Sequence, residues 1–249
     1  MLGIGTFGQV FLGWDGVLQH HVAIKVYEFG KTTITDMIKE ISIVQRVCHR
    51  NNVELLHVVR QSLTGYPALI FEFVSERTLY ETIAVLTSEE VPSFAHQILL
   101  GIDHAHSVGV VHNDLKPENI MIARDRQVLK IIDWGLGEIY NKGECLQCLD
   151  IFLSYSLYLF SYLCTMHSTD ADQILAGTMQ YQAPEMLLSY PHSWYAGDMW
   201  AFGCTFGGMI MNQPVLFWGQ TIPEQLTIIA KVRKWTSKKC YRGATCRSQ

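Results

Sequence analysis

The sequence predicts an α+β fold in two parts, a smaller strand-rich part followed by a larger helix-rich part. Three observations support this prediction. Glycines alternate with short apolar stretches over the first 27 residues. Apolar residues then recur at helical spacing over residues 35–47. Helical patterns dominate after residue 89, so the two parts are expected to join near residues 72–75.

Three strands and two helices are expected before the middle of the chain. Residues 9–13 alternate in strand fashion, and residues 21–27 (HVAIKVY) form a β-rich run. Residues 67–74 (PALIFEFV) predict a buried strand. Residues 35–47 predict an amphipathic helix, and residues 89–108 predict a second helix.

Composition narrows the classes of function. The net charge of -4 supplies no broad basic field, which disfavours a primary role on nucleic acid. The seven cysteines are scattered, as in a reducing compartment, and we interpret the single C-x-x-C of Cys145 and Cys148 as two free thiols. The start shows no signal-peptide pattern, so the cytosol or nucleus is the expected location. Residues 151–169 are rich in Ser and Tyr and too weakly apolar to predict a membrane span.

A glycine motif opens the chain. Gly3-x-Gly5-x-x-Gly8-x-Val10 is typical of a loop that covers phosphates, because glycines let backbone N–H groups approach an anion. The same spacing marks dinucleotide-binding turns, but those lead into a helix, whereas this loop leads into a strand. Taken alone, the motif fits an ordinary glycine-rich hairpin equally well.

A lysine and a glutamate follow at informative positions. Ala23 and Lys25 lie on the same face of a strand. The small Ala23 side chain can therefore lie under a flat nucleotide base while the Lys25 ammonium reaches phosphate oxygens. Glu40 lies fifteen positions later on the predicted helix, where it could hold Lys25 as an ion pair. A solvated lysine and a surface carboxylate are the alternatives.

The decisive segment is residues 111–119 (VHNDLKPEN), which is followed by Asp133 fourteen positions after Asn119. Asp114, Lys116, Asn119 and Asp133 can place one base, one γ-phosphate contact and two magnesium ligands around a single triphosphate. Carboxylate and amide oxygens are the ligands that magnesium takes. An ordinary loop has little reason to cluster such groups.

These motifs occur in the order of the eukaryotic-type protein kinase signature, which continues with residues 183–185 (APE) and 198–203 (DMWAFG). The resemblance covers residues 2 to about 232. Within the family, the sequence is similar to the casein kinase II catalytic (alpha) subunit. The segments that carry this similarity are residues 67–72 (PALIFE), 133–136 (DWGL) and 219–232 (GQTIPEQLTIIAKV).

The resemblance implies a two-lobed fold. A small β-rich, ATP-binding N-lobe is expected over residues 1–74, and a larger helical C-lobe for catalysis and substrate binding over residues 75–232. Residues 233–249 form an unassigned tail. The domain is also expected to be truncated at both ends and interrupted by an insert at about residues 145–169.

The resemblance further implies that ATP and Mg²⁺ are the cofactors. Asp114 would accept the substrate hydroxyl proton, and Lys116 would neutralise the γ-phosphate, a serine/threonine-kinase pattern. Asn119 and Asp133 would hold magnesium, while Lys25, paired with the helical glutamate, would grip the α and β phosphates. The residues implied to bind the nucleotide are Leu2, Gly3, Gly5, Gly8, Val10, Ala23, Lys25, Phe71, Glu72, Val74 and Met121.

The expected function is transfer of the ATP γ-phosphate to Ser or Thr hydroxyls of proteins. Its partners would be a protein substrate and, by resemblance, a regulatory subunit, without nucleic acid or membrane. The alternatives are a pseudokinase or scaffold that binds nucleotide without turnover, and an inactive product of a mis-spliced or truncated kinase gene. The complete set of functional residues argues against the pseudokinase, whereas the insert and the chain ends favour the inactive product.

Two positions depart from the family pattern. Asn113 replaces an Arg that normally pairs with an activation-loop phosphate, so activation by loop phosphorylation is disfavoured. Residues 29–35 (FGKTTIT) replace the lysine cluster with which the subfamily selects acidic substrates. A preference for acidic sites is therefore not expected.

The distance from Asp133 to Glu185 exceeds the compact loop of this subfamily by about two dozen residues. We hypothesise that residues 145–169 are an untranslated segment, such as a retained intron, with a membrane hairpin and a genuine regulatory insert as the alternatives. Sequencing of the mature messenger RNA is expected to show no codons for this segment. Its presence in the transcript and in the purified protein would contradict the hypothesis.

Overall fold

The computed structural model confirms the α+β class, with a five-stranded antiparallel sheet followed by a mainly helical part. The insert at residues 145–169, with its C-x-x-C motif, lies outside the described residues. The structure describes residues 1–5, 8–27, 30, 32–60, 65, 67–123, 125, 127–140, 177–189 and 194–243.

The N-terminal sheet has the strand order β1-β2-β3-β5-β4. Its register places Ala23 opposite Phe71 and Lys25 opposite Leu69. A Cβ at Gly8 would lie 2.1 Å from the carbonyl oxygen of Val26, so only glycine allows β2 to approach β3 this closely. The strands are β1 (Gly3–Gly5), β2 (Gly8–Asp15), β3 (His20–Tyr27), β4 (Leu55–Arg60) and β5 (Pro67–Glu72).

Helix α1 spans Ile34–Arg46 and begins at a capping box. The Thr33 hydroxyl accepts a hydrogen bond from the backbone N–H of Asp36, and the Asp36 carboxylate accepts one from the backbone N–H of Thr33. The buried face of this helix is apolar except for Glu40. Burial of a carboxylate is costly unless it is paired, so the position of the helix depends on the partner of Glu40.

The C-terminal part consists of helices and two short two-stranded sheets, in which β6 pairs with β9 and β7 with β8. Tight 3-10 turns at Pro117–Asn119 and Trp134–Leu136 precede β7 and β9. Asn119 ends the first of these turns, and Asp133 directly precedes the second. The elements are α2 (Leu79–Thr82), α3 (Glu90–Ser107), β6 (Val110–Val111), β7 (Ile120–Ile122), β8 (Leu129–Ile131), β9 (Glu138–Ile139), α4 (Pro184–Leu187), α5 (Trp194–Met211) and α6 (Ile222–Gly243).

One hydrophobic cluster joins the sheet to the helices. It includes Leu69 and Phe71 from β5 and the fully buried Ile98 and Ile102 from α3. The residues at the end of β5 therefore share a core with the helix that precedes the functional loops.

The predicted elements agree with the structure to within two residues at their ends. Strand β4 and helix α5 were not assigned from the sequence. Helix α6 runs past residue 232, where the family resemblance was expected to end. Among the described residues, no helix combines the length and apolar character needed to cross a membrane.

Replacing Ile98 with Ala is expected to lower the free energy of unfolding by about 2–5 kcal/mol, because it leaves a cavity in the hydrophobic cluster against which α3 packs. Ile98 is 0% exposed, whereas Leu100 of the same helix is 38% exposed. Leu100→Ala is the matched control and should cost clearly less. Equal losses of both variants in urea unfolding would show that α3 does not bury the face described here.

Candidate active site

Lys25 binds two carboxylates from different parts of the chain. Its Nζ lies 2.6 Å from Oε1 of Glu40 on α1 and 3.1 Å from Oδ1 of Asp133. The Tyr27 hydroxyl donates to the other oxygen of Glu40 at 2.9 Å. Glu40 is thus paired on both oxygens although it is only 2% exposed. The ion pair predicted between Lys25 and Glu40 is present in this geometry.

Electrostatics keep Lys25 and Asp133 charged. Burial alone would lower the pKa of Lys25, but the carboxylates of Asp133 and Glu40 outweigh burial, and the pKa lies above its ordinary value. Burial would likewise raise the pKa of Asp133, but Lys25 and the backbone N–H of Gly135 hold that pKa below its ordinary value. The ionised Lys25 ammonium can therefore contact an anion while the ionised Asp133 carboxylate beside it contacts a cation.

The buried carboxylate of Asp198, on α5, anchors the loop that carries Asp114. It accepts hydrogen bonds from the backbone N–H groups of His112 at 2.8 Å and Asn113 at 3.0 Å. The ring of His106 lies 2.9 Å from the same carboxylate. The backbone that leads into Asp114 is therefore tied to a helix of the core.

His112 ties the same loop to the strand that leads to Asp133. Its Nδ1 accepts a hydrogen bond from the backbone N–H of Asp114 at 3.2 Å. Its Nε2 lies 3.0 Å from the carbonyl oxygen of Ile132. Since Nδ1 accepts, Nε2 must carry the proton and donate to this carbonyl. The fully buried imidazole thereby fixes the spacing between Asp114 and Asp133.

Asp114 lies at the centre of a polar network in which each of its oxygens has two donors. Oδ1 accepts from the backbone N–H and the hydroxyl of Thr178, at 2.9 and 2.8 Å. Oδ2 lies 2.7 Å from Nζ of Lys116 and 3.1 Å from Nδ2 of Asn119. Lys116 also donates to the Thr178 hydroxyl at 2.6 Å. The carboxylate is held in one orientation by three side chains.

Thr178 was not assigned a role from the sequence. Gly177 before it has a φ of +100°, and a Cβ there would lie 2.6 Å from the carbonyl oxygen of Asn113. This glycine lets the chain approach the loop that carries Asp114 closely, which brings Thr178 to Asp114. The sequence feature that could have indicated this role is the Gly-Thr pair a few residues before the A-P-E motif.

The donor set of Asn119 and Asp133 fits a magnesium ion. Nδ2 of Asn119 donates to the backbone carbonyl of Asp114 at 2.8 Å, which leaves the amide oxygen for a cation. The carbonyl of Asn119 accepts from the backbone N–H of Ile132 at 2.9 Å, which brings Asn119 beside the residue that precedes Asp133. The Asp133 side chain is 37% exposed and can accept a further ligand. Amide and carboxylate oxygens are typical magnesium ligands.

The residues predicted to surround a nucleotide lie on neighbouring strands. Leu2 donates its backbone N–H to Val10 at 2.7 Å, which closes the hairpin that carries the three glycines. Met121 bridges to Thr78 on the other side. The predicted positions fall on the β1–β2 hairpin (Leu2, Gly3, Gly5, Gly8 and Val10), on β3 (Ala23 and Lys25), at the end of β5 and beyond it (Phe71, Glu72 and Val74), and on β7 (Met121).

The side chain of Glu72 is engaged at the joint between the two parts. The Glu72 carboxylate lies 2.5 Å from Nζ of Lys130 and accepts from the backbone N–H of Glu54 at 2.8 Å. Within the described residues, the backbone N–H of Val74 has no hydrogen-bond partner. This N–H is available to a ligand, as the resemblance implies.

Comparison with known proteins agrees with this geometry. A family model described as the protein kinase domain matches residues 1–244. The chain belongs to the protein kinase family. Members of this family use ATP and Mg²⁺ to phosphorylate proteins. The chain is 28% identical to a probable casein kinase II subunit alpha homolog of Encephalitozoon cuniculi (strain GB-M1) over 240 residues, which cover 96% of this chain and 66% of that relative.

Thr178→Val is expected to lower the rate constant for phosphate transfer by about 10- to 100-fold, because it removes hydroxyl bonds to the charged groups of Asp114 and Lys116. Thr178→Ser keeps the hydroxyl and the backbone N–H and should stay close to the wild-type rate. Initial rates at saturating Mg·ATP measure this difference. Equal rates for the Val and Ser variants would show that the hydroxyl does not orient Asp114.

Proposed function

We propose that this chain is a protein serine/threonine kinase that transfers the γ-phosphate of ATP to Ser or Thr hydroxyls of proteins. The observation that carries the proposal is the network around Asp114, in which an oriented carboxylate lies beside Lys116, Asn119 and Thr178. The Lys116 position and the similarity to a casein kinase II alpha homologue support the serine/threonine class.

Lys25 and the metal ligands would prepare the phosphate end of the site. Bound Mg·ATP supplies the phosphoryl group and the ADP leaving group. The Lys25 ammonium, held by Glu40, would bind phosphate oxygens without moving. Asn119 and Asp133 would hold the metal through their side-chain oxygens. The β1–β2 hairpin would cover the phosphates with backbone N–H groups.

Asp114 would orient the substrate hydroxyl and accept its proton. In a loose phosphoryl-transfer transition state the proton leaves late, so the orientation of the carboxylate matters more than its basicity. The four hydrogen bonds and ion pairs to Asp114 supply that orientation. Lys116 adds a positive charge at the point where negative charge develops.

Transfer of radiolabelled γ-phosphate to dephosphorylated casein by the purified 249-residue chain tests the proposal. Asp114→Asn is expected to lower the rate by about 100-fold or more, because it removes the proton acceptor. Asp103→Asn makes the same chemical change at an exposed position of α3 and should leave the rate unchanged. Phosphoamino-acid analysis of the product is expected to show phosphoserine and phosphothreonine.

Two outcomes would contradict the proposal. Equal incorporation by wild type and Asp114→Asn would assign the labelling to another source. An inactive wild type whose thermal unfolding transition still moves upward with Mg·ATP would support a nucleotide-binding pseudokinase instead.

A further inference from the structure

We infer that Asn113 is a positioning residue for the metal-binding segment, defined as residues 132–138, and that its side-chain amide holds this segment in place for magnesium. The inference rests on the proposed function, because it assumes that Asp133 is a metal ligand. It concerns a residue at which this chain departs from the kinase signature, so the signature does not supply its role.

The backbone of Asn113 is fixed on both sides. Its φ is +64°, in the left-handed region that Asn tolerates better than most residues. Its N–H donates to Asp198 at 3.0 Å, and its carbonyl oxygen faces Gly177, where a Cβ would lie 2.6 Å away. A fixed backbone gives the short Asn side chain one narrow range of directions.

The amide of Asn113 reaches the metal-binding segment. Its Nδ2 donates to the carbonyl oxygen of Leu136 at 3.2 Å. Leu136 ends the 3-10 turn that begins directly after Asp133, and the N–H of Gly137 closes this turn on Trp134 at 3.0 Å. Asp133 itself has a left-handed φ of +57°, so its conformation depends on the turn that follows it. The Asn113 amide holds the far end of this turn.

Other contacts hold the ends of the same segment. His112 binds the carbonyl of Ile132 at 3.0 Å, Lys25 binds the side chain of Asp133 at 3.1 Å, and Lys39 of α1 pairs with Glu138 at 2.8 Å. Within the described part of the chain, the Asn113 amide donates the side-chain hydrogen bond to the middle of the segment, beside a contact of the His112 ring with the Trp134 ring at 4.6 Å between centroids. The short Asn113 side chain makes its hydrogen bond to the neighbouring backbone, whereas the longer Arg of the family pattern pairs with an activation-loop phosphate.

The test measures the affinity of the purified full chain for ADP by titration calorimetry, once with excess Mg²⁺ and once with EDTA. In wild type, Mg²⁺ is expected to tighten binding. Asn113→Gly keeps the left-handed backbone, and Asn113→Asp keeps the shape but cannot donate. Both are expected to lose affinity by roughly 2- to 12-fold in Mg²⁺, the range for one lost hydrogen bond, and to match wild type in EDTA.

Asn212→Gly is the matched control. Asn212 follows α5, is exposed and also has a left-handed φ, of +54°, so the change is chemically identical but distant from the segment. It should bind ADP as wild type does under both conditions.

The opposing results separate the inference from the proposed function. If wild type shows no Mg²⁺-dependent binding, the proposed function fails. If wild type shows it and both Asn113 variants keep it in full, only the inference fails. Equal losses in Mg²⁺ and EDTA, a loss in Asn113→Asp alone, or the disappearance of cooperative thermal unfolding would each assign Asn113 a different role and overturn the inference.

Discussion

The arrangement of the site depends on one buried ammonium. Lys25 is 8% exposed and lies between Glu40 of the N-terminal helix and Asp133 of the C-terminal part. A buried charge without a partner is costly, so each of the three groups constrains the other two. The sheet, helix α1 and the segment after β8 are held together at this point. The Tyr27 hydroxyl completes the pairing of Glu40.

A second set of polar contacts, within the C-terminal part, also positions functional groups through carboxylates with several partners. Asp198 is buried and accepts from two successive backbone N–H groups, which positions the loop that carries Asp114 on α5. Asp114 then receives four donors from residues on both sides of a long stretch of chain. Carboxylates that accept several hydrogen bonds give a rigid arrangement, because moving either of them breaks several bonds at once.

Much of the fold and of the candidate site could be predicted from the sequence, because their signals are local. The amphipathic period of α1 and the motif around Asp114 lie within short windows. Thr178 lies 64 positions from Asp114, and Asp198 lies 86 positions from His112. No periodicity or motif spacing encodes a hydrogen bond over such a distance, since it depends on the path of the intervening chain. The contact of Asn113 with Leu136 escaped prediction for the same reason.

The ion pair of Glu72 with Lys130 has a consequence for which substitutions the chain can accept. The Glu72 carboxylate accepts from the backbone N–H of Glu54 and pairs with Lys130, so it joins the sheet to β8. Beyond this pair, the backbone N–H of Val74 has no partner among the described residues, and every amino acid except proline supplies such an N–H. Substitution of Glu72 or Lys130 would therefore weaken the attachment of the sheet to β8, whereas most substitutions at Val74 would leave its N–H in place.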